Sequence, residues 1–162
     1  MTDRREFPYH EGVAPMMWVL FALSLIELLA VHFFVALKWP WIGWPLTILS
    51  AIGAVWLVYW ILSFRRLPHA LEGETLMLRL GTLKAVKLQL SDIAGVSMHW
   101  EDGATTARDA INLAGIAYPN RCVELREPIR KGRKRVFVRF DRPAEFDHAL
   151  ELAIGADNSV RE

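Results

Sequence analysis

Two ionisable side chains, Glu27 and His32, interrupt an otherwise apolar run from Val13 to Leu37. Such residues are costly in hydrocarbon and mark either a proton or ion path or a polar tie between helices. Their five-residue separation turns about 140° around a helix, so one helix cannot aim both at one metal ion. Ser24, three residues before Glu27, shares its face. In a second apolar run, Trp44 to Phe64, the residues Thr47, Ser50 and Ala54 recur at helical spacing as a small, partly polar stripe. If the two runs fold back on each other, residues whose numbers sum to about 82 lie at equal depth. That pairing sets His32 against Ser50, and Glu27 against Val55 and the indole N–H of Trp56. The expectation is that Glu27 and His32 face the stripe and hydrogen-bond across the hairpin or across a dimer. The chemistry is then either a relay or glue between helices. Two helices alone cannot enclose an aqueous path, which favours glue unless the chain oligomerises.

Elsewhere the chain is poor in reactive constellations. It has no phosphate-cradling glycine loop, zinc-protease helix motif or nucleophile elbow. The five histidines are scattered without metal-ligand spacing. His99-Trp100-Glu101 has the form of a deaminase motif but lacks the paired cysteines that chemistry needs. Cys122 is the one cysteine, at an alternating position of a strand pattern, where a thiol acts as a small hydrophobe. No catalytic residue, metal site or cofactor is expected, and the chain does not read as an enzyme.

The strongest surface feature is cationic. Arg130, Lys131, Arg133, Lys134 and Arg135 supply five positive charges within six residues around Gly132. Arg121, Arg126, Arg139 and Arg142 could add to them, and Arg65 and Arg66 follow the second apolar run. Each cation near an anionic membrane surface contributes about 1 kcal/mol. Membrane lipids, anionic ones in particular, are therefore the expected contact for Arg65, Arg66 and the basic turn. Nucleic acid is disfavoured because no aromatic residues interleave with the run. The bland alternative is a solvated turn, since 16 cations oppose 14 acids from Arg65 onward.

These groups are positioned by a lopsided chain. Of 162 residues, 53% are apolar and 23% charged, and Lys plus Arg (19) nearly cancel Asp plus Glu (18), so net charge excludes little. The apolar content argues against disorder, and a single cysteine excludes an internal disulfide framework. Six of the seven tryptophans lie in the first 60 residues. As helices the two runs span about 37 and 31 Å, each enough for a bilayer core. Pro40 and Gly43, in the link from Lys38 to Gly43, turn the chain back. Trp18 and Trp60 fit one interface, and Trp39, Trp41 and Trp44 the other. Arg4, Arg5, Arg65 and Arg66 outweigh Lys38, which places both termini in the cytoplasm of a multi-pass inner-membrane protein. The expected organisation is a cytoplasmic tail over 1–12, a transmembrane helical hairpin over 13–66, a cytoplasmic domain over 67–155 and a tail over 156–162.

In that domain the pattern turns to period two. Thr75 to Leu80 and Leu83 to Leu90 alternate around Gly81-Thr82, and Ile93 to Trp100 reads as a third strand. Residues 101–109 read as a loop and 110–118 as a weak strand. Arg121 to Arg126 and Lys134 to Phe140 alternate again. Asp141 has the chemistry of an N-cap for a helix opening at Pro143 and carrying Phe146, Ala149, Leu150, Ala153 and Ile154 on one face, with Gly155 as its stop. Five or six short antiparallel strands and one closing helix make an α+β domain.

The run Leu76-Met77-Leu78-Arg79-Leu80-Gly81, the approach through Leu90-Ser91-Asp92-Ile93-Ala94-Gly95-Val96, and the ending Asp141-Arg142-Pro143-Ala144-Glu145-Phe146 resemble the opening strands and closing helix of bacterial pleckstrin-homology-like (PH-like) domains. The resemblance covers residues 71–154. Together with the hairpin it is similar to small bacterial two-helix membrane proteins. It implies a split β-barrel or antiparallel sheet capped by the C-terminal helix, acting as a binding or assembly module with itself or a membrane-protein partner. It does not imply phosphoinositide binding. The competing function is an oligomeric transport or proton-relay component using Glu27 and His32.

Overall fold

The computed structural model describes residues 4–129 and 132–160. After a short strand, β1 (Arg4–Phe7), the chain enters two long helices, α1 (His10–Lys38) and α2 (Pro40–Arg66). Both are long and apolar enough to cross a membrane, with mean hydropathies of 2.4 and 1.9 over their best windows. Only Trp39 separates them, where a six-residue link was expected. Its N–H donates to the Val35 carbonyl, closing α1, while its own carbonyl accepts from Ile42 and Gly43, opening α2. Pro40 thus starts a helix instead of breaking one, because a first-turn residue needs no N–H partner. Gly43 makes the reversal sterically feasible: a Cβ there would lie 2.9 Å from the Ala36 backbone.

The remaining strands are β2 (His69–Glu72), β3 (Thr75–Leu80), β4 (Lys84–Gln89), β5 (Ile93–Ser97), β6 (Ala110–Asn112), β7 (Arg121–Ile129) and β8 (Arg133–Val138), followed by the helix α3 (Pro143–Val160). They form two four-stranded sheets, in the orders β1-β2-β3-β4 and β5-β7-β8-β6, and no barrel is closed. All pairings are antiparallel except β6 with β8, which is parallel. β3 keeps the alternation read from its sequence, with Leu76, Leu78 and Leu80 inward. Pro128 falls where the β7–β8 register shifts between Glu124 and Ile129, a position where the missing N–H breaks no regular ladder.

Several elements differ from expectation. Arg4–Phe7 is a strand, not a tail: it pairs with β2 from Arg4 opposite Glu72 to Phe7 opposite His69. With one apolar residue in four it has too little pattern to be legible. β5 stops at Ser97, three residues short of the expected end. The weak strand at 110–118 shrinks to β6, and its parallel pairing with β8 was not foreseen. Gly155 does not stop α3, which runs on to Val160.

The helical hairpin is therefore inserted between two neighbouring strands, and its base belongs to the domain core. Val13 and Met17 of α1 and Ile61 and Phe64 of α2 are buried in one cluster with Phe7, Leu78, Leu80, Phe140 and Phe146. Beyond that base the helices expose large apolar side chains such as Leu29, Phe34, Leu49 and Val55.

Candidate functional site

Three polar side chains of the hairpin, His32, Thr47 and Ser50, meet near one level. His32 Nδ1 lies 2.8 Å from Thr47 Oγ1, and Thr47 Oγ1 donates to the Gly43 carbonyl at 2.8 Å. The single hydroxyl proton of Thr47 is thereby committed, so its oxygen accepts from His32 Nδ1–H. The other ring nitrogen, Nε2, lies 3.4 Å from Ser50 Oγ, a long contact. The result is a chain of polar contacts running from Ser50 through His32 and Thr47 to the Gly43 carbonyl. That chain ends on backbone, not on a second proton carrier. Its chemistry is that of an interhelical tie, worth roughly 0.6 kcal/mol per hydrogen bond in known membrane helices.

Glu27 does not join it. The carboxyl is exposed on the outer surface of α1 and has no hydrogen-bond or ion-pair partner among the described residues. The expected contact with Val55 and Trp56 fails because both lie off the seam between the helices: Val55 is 72% exposed, and Trp56 stacks on Trp60 with centroids 6.0 Å apart. The one-residue link also moves the pairing along the axis by nearly a turn: His32 meets Thr47 and Ala36 meets Gly43, numbers that sum to 79 and not 82, which sets Glu27 level with Ile52. Ser24 lines a gap of about 230 Å³ between the helices, with Leu28, Ser50 and Ala54 across from or beside it.

Where the hairpin enters the domain, the structure assembles a second polar group that the sequence did not disclose. The expected N-cap of α3, Asp141, instead caps α1: its carboxylate accepts from Glu11 N–H at 3.0 Å and Gly12 N–H at 3.1 Å. Tyr9 Oη accepts from the Gly81 N–H at 2.6 Å, and burial pushes the Tyr9 phenol up to about 12. Gly81, at φ 50°, abuts Ser63 and Phe64 of α2 so closely that a Cβ would clash with Ser63 Oγ. His69 is fully buried, stacked on Tyr9 with centroids 4.5 Å apart. Its Nδ1 accepts from Arg79 N–H at 3.0 Å and its Nε2–H donates to the Arg139 carbonyl at 3.2 Å. Desolvation holds its pKa down at about 4. Partners 70 or more residues apart, as for His69 with Arg139, leave no local signal.

The cationic residues are dispersed. Arg130 and Lys131 lie outside the described residues. Arg135 is bound to Asp109 by two hydrogen bonds of 2.9 Å, which hold the Asp109 carboxyl below its usual range. Arg121 is buried against Asp147, with contacts of 2.6 to 3.0 Å that raise its pKa further. Arg126 donates to the Ile93 carbonyl, Arg139 to that of Tyr118, and Arg142 pairs with Glu145. Of these four only Arg121 is buried and so withdrawn from a cationic face, while Arg126 and Arg142 remain exposed. Arg65, Arg66 and Lys134 are exposed, and Arg133 is half-buried. Cys122 is buried and its thiol is pushed up to about 11 by desolvation. Among the described residues no three of His, Cys, Asp and Glu are grouped where a metal ion could be held.

Comparison with known proteins finds no matching family, no matching curated protein and no matching solved structure.

Proposed function

We propose that this chain is an integral inner-membrane protein, with both termini in the cytoplasm, that holds a PH-like binding and assembly module against the bilayer and carries out no catalysis of its own. The observation that supports it most directly is the shared core: Val13, Met17, Ile61 and Phe64 bind the base of the hairpin into the sheets. A domain built in this way is held at a fixed pose at the membrane, which suits a docking surface. The two sheets with a C-terminal helix agree with a PH-like arrangement in outline. The polar groups have structural uses: His32 ties the helices and Asp141 caps α1. A relay through Glu27 and His32 is the weaker reading, because the hydrogen-bonded chain at His32 excludes Glu27.

The test is the mass of the full-length protein purified in mild detergent, with identification of anything that copurifies. The expected outcome is a homo-oligomer or a stoichiometric complex with a membrane protein. A monomer without a partner would overturn the assembly role.

A further inference from the structure

β4 and β6 are outer strands of their sheets, and residues of both line one groove. This groove, of about 640 Å³, is lined by Val86, Ile111 and Ile129 together with Lys84, Lys87 and Arg133, and among the described residues no acidic side chain lines it. Val86, Ile111 and Ile129 pack on the core as partly buried apolar residues, so the floor is apolar while Lys84 and Lys87 are exposed cations. An apolar floor with three cations selects an anionic amphiphile over a purely polar anion or a neutral apolar ligand.

The position of the groove separates the two occupants of that description. An acidic strand could add to the open edges, but lysines on an edge strand discourage strand addition. A lipid is already at hand. The β3–β4 turn begins at Gly81, which packs on Ser63 and Phe64 at the end of α2, directly before the exposed Arg65 and Arg66. Leu83, 50% exposed, lies on the same turn and lines the groove. The groove thus opens beside the end of the hairpin.

We propose that it binds one anionic phospholipid, with the phosphate among Lys84, Lys87 and Arg133 and the first acyl carbons over Val86, Ile111 and Ile129. This rests on the reading of α1 and α2 as membrane spans. The test is native mass spectrometry of the full-length protein in mild detergent, titrated with phosphatidylglycerol or with phosphatidylcholine of the same chains. Wild type is expected to prefer phosphatidylglycerol by about tenfold or more, as three cations near a headgroup would give. A Lys84→Gln, Lys87→Gln, Arg133→Gln variant should lose that preference. A control with the same charge removed elsewhere, Lys38→Gln, Arg108→Gln, Arg142→Gln, should keep it. If the triple variant does not fold, the exposed pair Lys84→Gln, Lys87→Gln should show a partial loss. The proposal falls if wild type has no preference, if both sets of substitutions act equally, or if soluble glycerol phosphate displaces the lipid at equal concentration. Alkaline carbonate extraction of the same membranes separates the two readings. Protein released by carbonate would sink the membrane reading itself; protein retained without lipid preference would sink only the groove.

Discussion

His69 shows how one buried side chain couples the hairpin to the sheets, and it makes stability depend on pH in a defined direction. Both ring nitrogens are used when the ring is neutral: Nδ1 accepts and Nε2–H donates. Protonation would turn the acceptor into a second donor facing the Arg79 N–H, inside an apolar cluster of Tyr9 and Phe140. The folded pKa is held at about 4, below the ordinary 6.5. Between those values the unfolded chain binds more protons than the folded one, so acid favours unfolding. Stability from this site is complete above about pH 6.5, declines as pH falls through the window and levels off below about 4, for a total of about 3 kcal/mol. Denaturant unfolding of the detergent-solubilised protein, followed by tryptophan fluorescence at pH 7 and 4.5, should show the loss. His69→Gln should start less stable and have a shallower pH slope. An equal slope in wild type and variant would remove His69 as its source.

At the scale of elements, β1 is the piece that changes the picture. Its pairing with β2 and the burial of Phe7, Tyr9 and Val13 mean that the domain starts at the N-terminus, not after the second helix. A fragment of residues 67–162 therefore lacks one strand of a four-stranded sheet and an apolar part of its core. It is expected to be unfolded or aggregated, with poor dispersion in a proton NMR spectrum. Full-length protein lacking residues 1–8 should lose several kcal/mol, because burying side chains such as Phe7 contributes about 1.5–3 kcal/mol each. A folded, monomeric 67–162 fragment would contradict the shared core. The sequence disclosed the elements with strong periodicity, namely both apolar helices, β3, β4 and the apolar face of α3. It hid β1, whose Arg4-Arg5-Glu6-Phe7 has no alternation, and β6, whose three residues pair with a strand some 25 positions later in a parallel register. The same division holds for the candidate site. Counting along the helices brought His32 near Ser50 but missed Thr47, its shorter contact, because the link is one residue and not six; Glu27 required in addition rotation about the helix axis, which counting does not supply. Asp141 caps α1 through the N–H groups of Glu11 and Gly12, some 130 residues earlier, a partnership that no local pattern announces.

At the scale of the whole molecule, the fold constrains orientation more tightly than the charge bias does. β1 precedes the hairpin and β2 follows it, and the two strands are hydrogen-bonded partners. If α1 and α2 span a bilayer, both ends of the hairpin must emerge on the same side, whatever the distribution of arginines. Charge then decides only which side that is, and the proposed cytoplasmic side rests on Arg4, Arg5, Arg65 and Arg66 against Lys38. Single-cysteine labelling in intact cells tests both steps. The native Cys122 is 1% exposed with a thiol held up at about 11, so its background reaction should be slow. Trp41→Cys, at a position 77% exposed beside the tight reversal, should react with a membrane-impermeant maleimide from outside the inner membrane. Glu74→Cys, exposed on the β2–β3 turn, should react only after the membrane is breached. The reverse pattern would overturn the choice of side, leaving the pairing of strands intact. Labelling of both positions from outside would mean that the helices do not span, and would take the docked-domain account with it.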